Sequence, residues 1–269
     1  MKIVRKHKFG PVHAYELGYS PIGRPMMTVC CYLAGGVLID TGQSHMKKAV
    51  IDIARSHKIS SVLLTHHHED HSGNAAVLKQ IFQLPVMAHP LTVAKMQYPY
   101  KIFPYQHWIW GATTPMQIDV LAPGGCFENG NLKFRPIHTP GHSKDHTAFL
   151  EINNGWLFSG DLYLGDRIKY FRADEKIADQ IASIKKILSY DFDALYCCHR
   201  PQPRNGKKFL SLKLQFLEDF YGNVFFFANQ GMNEKLIMRR LRLKEQRLVR
   251  MMCFGNVSMR NMVRSVLAS

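Results

Sequence analysis

At 269 residues the chain is near the upper size that one α/β core accommodates, so one compact domain with a small appendage is expected. Apolar residues make up 46% and charged residues 20%, a globular composition that excludes a disordered, collagen-like or fibrous chain. The net charge of +15 suits an anionic substrate, nucleic acid or an anionic surface without choosing among them. No stretch reaches the roughly 18 apolar residues of a membrane span, and the first ten residues lack the apolar centre of a signal peptide. A soluble cytoplasmic protein without membrane contact is expected. The six cysteines include two adjacent pairs and no Cys-x-x-Cys, which reads as small apolar side chains in a reducing compartment.

In chain order, strands are predicted over 12–17, 27–33 and 37–39, with Gly35-Gly36 turning the last two into a hairpin. Met46, Ala49, Val50, Ile53 and Ala54 then fall at helical spacing, an amphipathic helix within 43–57. A buried strand over 60–65 ends in histidines, and a helix around Val77–Phe82 leads to a strand over 85–88. Residues 96–110 hold two prolines and six aromatics and read as an irregular loop able to wall a site. Strands resume at 116–120, 132–137, 147–150 and 155–158. A helical stripe of Ile177, Ile181, Ile184 and Leu188 precedes a last strand over 194–198. Beyond it the chain reads as helical, apart from a short strand-like run at Val224–Phe227. Segments near 234–243, 245–253 and 258–267 form three short helices, the last capped by Ser258. Two successive strand-plus-helix halves imply an α/β fold, a four-layer αββα sandwich. The expected division is a catalytic domain over 1–203 and a basic, mainly helical region over 204–269.

The chemistry sits at strand ends. Thr65-His66-His67-His68-Glu69-Asp70-His71 gives His-x-His-x-Asp-His directly after a strand. On an extended segment His66 and His68 share a face, and a turn can bring Asp70 and His71 to a second point. One loop could thus serve two metal positions. Imidazole and carboxylate without thiolate suit zinc, with iron or manganese as alternatives. His67 and Glu69 alternate with these side chains and are expected to face outward. Pro140-Gly141 forms a tight turn that projects His142, Asp161 follows a strand ending at Phe158, and His199 ends the last strand.

These motifs, with Leu38-Ile39-Asp40-Thr41-Gly42 before them, resemble in identity and order the metallo-β-lactamase-fold hydrolases, over roughly residues 12–200. The resemblance implies that His66, His68 and His142 hold one divalent ion and Asp70, His71 and His199 a second. Asp161 would bridge the two, and Asp40 would orient a ligand histidine. It further implies a dinuclear hydrolase whose metal-bridging hydroxide cleaves a small ester, thioester or lactone, with Asp70 helping to move the proton. An Asp at the bridging strand end, where some lactamases of the fold use cysteine, speaks against β-lactams as the natural substrate. Glyoxalase II-like thioesterases share the layout, but the segments GDLYLGD and CHRPQ depart from their patterns around the corresponding positions.

Tyr163, Arg167, His146 and Trp108 are the candidate substrate contacts. From residue 232 onward basic side chains outnumber acidic ones by seven. This keeps an alternative open, a metal-dependent endoribonuclease or phosphodiesterase whose C-terminal helices grip nucleic acid, though a small-molecule substrate is favoured. A homo-oligomer is compatible with the same composition.

Overall fold

The computed structural model describes residues 1–122 and 124–269. Its first half builds one sheet, β1 (Lys2–Phe9), β2 (Val12–Tyr19), β3 (Val29–Ala34), β4 (Val37–Ile39), β5 (Ser61–Leu64), β6 (Val86–Ala88) and β7 (Asp119–Val120), in sequence order. Strands β1 to β4 are antiparallel neighbours and β4 to β7 parallel ones. The parallel connections carry helices α1 (Lys47–Ser56), α2 (Glu69–Ser72), α3 (Ala75–Phe82), α4 (Pro90–Met96) and α5 (Pro104–Ile109). The second half builds a sheet from β8 (Phe127–Asn129), β9 (Leu132–His138), β10 (Thr147–Glu151), β11 (Trp156–Gly160) and β12 (Ala194–Cys197). Its spatial order is β12-β11-β10-β9-β8, and β11 and β12 run parallel with α6 (Ile177–Leu188) between them in sequence. Four helices follow: α7 (Gly206–Asn229), α8 (Glu234–Arg240), α9 (Arg247–Met252) and α10 (Met259–Leu267).

Three buried clusters define four layers, as the two-half sequence pattern implies. Tyr32, Phe134, Phe149, Phe158 and Tyr196 interdigitate between the sheets, and the Tyr32 hydroxyl donates across the gap to the Cys197 carbonyl at 2.5 Å. Val50 and Ile53 of α1, Leu78 of α3 and Val93 of α4 cover Leu38, Val62 and Leu64 on the outer face of the first sheet. On the outer face of the second, Ile184 and Ile187 of α6, Leu210 and Leu217 of α7, and Met262 and Val263 of α10 cover Leu150, Leu157 and Leu195. Each such fully buried aliphatic or aromatic side chain stabilises the fold by about 1.5–3 kcal/mol relative to exposure. Helices α7, α8 and α10 therefore share their core with β10–β12, while α9 contributes no buried residue to it.

Several expectations are corrected. β1 and the short β8 are additional strands, both at sheet edges. Residues 96–110 contain the end of α4 and all of α5, because Pro104 occupies the first turn of α5 where its missing N–H is harmless. Val224–Phe227 lies inside the 24-residue helix α7. Ser258 caps α10 as expected, its side chain accepting from the Arg260 N–H.

Candidate metal centre

Parallel strands present their carboxyl ends to one rim of the sandwich, the usual place for a site in such sheets. β4 runs into Asp40, β5 runs into Thr65-His66, β11 ends at Gly160 before Asp161, and β12 runs into Cys198-His199. Asp40 adopts φ 60°, a left-handed conformation that Asp tolerates, which turns its carboxylate back over the neighbouring strand end. Its Oδ1 accepts from the Thr65 N–H at 2.8 Å, and its Oδ2 from the Thr65 hydroxyl at 2.9 Å and from His71 Nδ1 at 2.8 Å. With a proton on Nδ1, His71 presents the lone pair of Nε2 to the rim. At Gly160, φ is +48°, and a Cβ there would sit 2.7 Å from His146 Nε2, so glycine is required beside Asp161.

His66 Nε2 lies 2.8 Å from His68 Nδ1, and His142 Nε2 lies 3.0 Å from the same atom, so three buried imidazoles converge. Asp161 adjoins them, with Oδ2 3.2 Å from His142 Nε2 and Oδ1 3.3 Å from His71 Nε2. Asp70 Oδ2 lies 3.7 Å from His71 Nε2, and His199 Nε2 lies 3.7 Å from Asp161 Oδ1. The His199 ring is held from behind by Nδ1 donating to the Thr28 carbonyl at 2.6 Å. Donor atoms of His66, His68 and His142, and of His66, His71 and Asp161, lie within 4.8 Å of one another. The structure thus gathers all seven candidate ligands at one rim.

The electrostatics fit a cation. Burial, and then neighbouring charges, hold His66 and His68 well below the ordinary imidazole range, keeping them neutral as ligation requires. For His71 burial pulls down, but Cys198, Asp70, Asp161 and Asp40 outweigh it and push it up. Burial would raise Asp161, but His71 and His142 hold it far below the usual carboxylate range. His71 Nε2 and Asp161 Oδ1 are both buried and neither makes a hydrogen bond. Two buried lone-pair acceptors facing each other with no donor between them are rare, and an ion between ligands is one of the few explanations for them. The residues present therefore fit divalent metal ions.

Next to the cluster opens a cavity of about 340 Å³ lined by His67, His68, Glu69, Lys95, Tyr100, Arg172 and Asn256, among others. Several sequence expectations change here. Glu69 is buried, not outward, with its Oε2 accepting from the Gln106 side chain at 3.1 Å. His67 turns its Nδ1 to Asp145 at 2.9 Å, and the same carboxylate accepts the His67 N–H, tying the loop of His66–His71 to that of His142. His146 is fully buried, its Nδ1 bonded to Thr139 and its Nε2 accepting from the Asp161 N–H, so it positions Asp161 and reaches no substrate. Burial lowers its pKa to about 3. Tyr163 is buried too, its hydroxyl spent on Asp166 at 2.6 Å. Arg167 is exposed and lines neither this cavity nor a second, apolar groove, whereas Trp108 lines the groove. Three contributors carry no sequence signal: Glu175, 3.4 Å from His142 Nδ1; Cys198, 3.6 Å from Asp40; and Arg172 in the cavity wall.

Residues 26–199, well over half of the chain, match the family model described as the metallo-beta-lactamase superfamily. The chain belongs to that superfamily. It is 32% identical over 181 residues to an atrochrysone carboxyl ACP thioesterase of Aspergillus fumigatus, covering 64% of this chain and 51% of the relative. It is 30% identical over 131 residues to a hydroxyacylglutathione hydrolase of Bdellovibrio bacteriovorus, covering 48% and 44%. The chain spans about half the length of these curated relatives. A metallo-beta-lactamase family protein from Thermus thermophilus shares the fold with a TM-score of 0.63 at 18% identity, covering 96% of this chain and 91% of that one. No helix among the described residues is long and apolar enough to cross a membrane.

Proposed function

We propose that this protein is a hydrolase that uses two divalent metal ions, zinc before iron or manganese, to cleave a small ester, thioester or lactone. The observation that carries the reading is the buried pair His71 Nε2 and Asp161 Oδ1, 3.3 Å apart and without hydrogen bonds, beside three converging imidazoles. His66, His68 and His142 would hold one ion, Asp70, His71 and His199 the other, and Asp161 both. Bound there, the ions supply Lewis-acid polarisation of a carbonyl oxygen and a water of lowered pKa. Asp40 fixes the His71 tautomer, and His146 fixes the Asp161 backbone. Asp70, buried beside His71 Nε2 at the rim, would accept a proton and pass it to the leaving group. Arg172, Lys95 and Tyr100 face the adjoining cavity and orient the bound substrate. The substrate class is supported by the thioesterase and glutathione thioester hydrolase among the relatives. Unpaired cysteines throughout the described residues agree with a reducing, cytoplasmic location.

Exposed Arg239, Arg240, Arg242, Lys244 and Arg247 keep the polyanion reading in view. One assay separates the two readings: the metal-loaded protein is given an ester, thioester and lactone panel, and single-stranded RNA at two salt concentrations. Hydrolysis of the small panel at salt-insensitive rates is expected. RNA cleavage that falls steeply with salt, as counterion release demands, with an inert small panel would overturn the reading.

A further inference from the structure

Beside the metal-site cavity runs the second groove, of about 330 Å³, lined by Met26, Trp108, Ile109, Val249, Met252 and Phe254, with almost no polar surface. Its lining comes from three places: the loop after β2, helix α5, and α9 with the residue pair after it. The two cavities share a wall. Phe103 faces the metal-site cavity and Tyr105 the groove, and their rings stack with centroids 5.9 Å apart. Asn256, in the first cavity, donates from Nδ2 to the Tyr105 hydroxyl at 2.7 Å. The Asn256 carbonyl accepts from Ala173 N–H at 2.9 Å, which fastens the C-terminal helices to the loop that carries Arg172. A polar cavity touching the candidate ligands thus abuts an apolar trough, with one aromatic pair between them.

From this adjacency, and resting on the hydrolase reading above, we infer that the substrate is an ester or thioester of an apolar, medium-length acyl group, and that the groove between α5 and α9 holds the acyl chain. The scissile carbonyl would lie at the metal rim and the chain over Tyr105 into the trough. A small polar acyl group would leave the groove's apolar walls in water, whereas a methylene chain removes them from it. Val249, Met252 and Phe254 lie outside the residues that match the family model while Met26, Tyr105, Trp108 and Ile109 lie within them, so chain-length preference would be set jointly by α5 and by the C-terminal helices.

The test uses metal-loaded full-length protein and p-nitrophenyl esters from acetyl to decanoyl. Burying each methylene should raise kcat/KM by about fourfold until the groove is filled. In Val249→Asn the ratio of decanoyl to acetyl kcat/KM should fall at least tenfold, a ratio that a general loss of folded enzyme does not move. A second measurement is independent of turnover: 1-decanol is titrated against tryptophan emission, with ethanol as the control and Trp108→Phe identifying the reporter. Saturable decanol binding, lost in Val249→Asn, is expected. Ester hydrolysis with no chain-length slope and no decanol binding overturns the inference. Vesicle co-sedimentation in that case assigns the exposed apolar side chains of α9 to a lipid surface instead. Decanol binding with no hydrolysis of any ester overturns the hydrolase reading and leaves the groove as an apolar-ligand site.

Discussion

Replacing Asp40 by Asn tests whether the ligand histidines are oriented from behind. The buried Asp40 carboxylate accepts from both sides: Thr65 N–H at 2.8 Å on Oδ1, and His71 Nδ1 and the Thr65 hydroxyl at 2.8 and 2.9 Å on Oδ2. Asparagine has the same shape and tolerates the same left-handed φ of 60°, so the backbone is not disturbed. Only one of its two ends can accept, however. If the amide NH₂ faces Thr65, two donors meet and the backbone N–H is left unpaired. If it faces His71, Nδ1 must become the acceptor and the ring proton moves to Nε2, the atom aimed at Asp161. Losing a charge-assisted hydrogen bond and stranding a buried donor destabilises by about 1–3 kcal/mol. Losing an outer partner of a ligand histidine weakens metal affinity by about 10–100-fold. Urea unfolding with and without chelator gives the first value, and competition for zinc with a chromophoric chelator gives the second. Unchanged zinc affinity in a variant that is destabilised would refute the orienting role and leave Asp40 as a purely structural acceptor.

Three further outcomes follow. Gly160→Ala forces a β-carbon to within 2.7 Å of His146 Nε2 at φ +48°, so it should cost at least about 1–2 kcal/mol and weaken metal binding together, as read by thermal unfolding and metal titration. Chelation should lower Tm, and zinc at about 100 times its Kd should restore about 2.7 kcal/mol of stability. Lys213, fully buried on α7 with Nζ donating to the Leu162 carbonyl at 2.6 Å, is lowered by burial to about 8 from 10.5. The folded chain therefore releases this proton before the unfolded chain does. The contribution of Lys213 to stability is reduced below pH 8, climbs between about pH 8 and 10.5, and gains nothing more above that, a total of about 3 kcal/mol at 1.36 kcal/mol per unit. Buried thiols such as Cys30 and Cys197, pushed up to about 12 by burial, oppose this trend in the whole protein, so the readout is the difference: between pH 8 and 10.5 the wild type should gain about 3 kcal/mol relative to Lys213→Met in chemical unfolding.

The rim of the site was legible because its residues fall at strand ends marked by strong local signals: an apolar run before His66, a Pro-Gly turn before His142, a strand before Asp161. What escaped has physical reasons. β1 carries Lys and Arg on both faces of an exposed edge, so its sequence lacks the alternation that marks a half-buried strand. Pro104 reads as a helix breaker by composition and is a helix starter by position. Glu69 was expected outside by strand alternation, but the chain turns into α2 at that point and the period of two no longer applies. The support of His142 by Glu175 and the shared wall of Tyr105 with Asn256 join residues far apart in sequence, for which one sequence offers no signal.

In the proposed function, seven side chains at this rim hold two divalent ions with Asp161 between them. Metal analysis of the purified protein beside its Asp161→Ala variant tests it most directly. About two ions per chain are expected in the wild type, and one or none in the variant with activity lost. Two tightly retained ions in Asp161→Ala, or ester hydrolysis by wild-type protein stripped of metal, would contradict it.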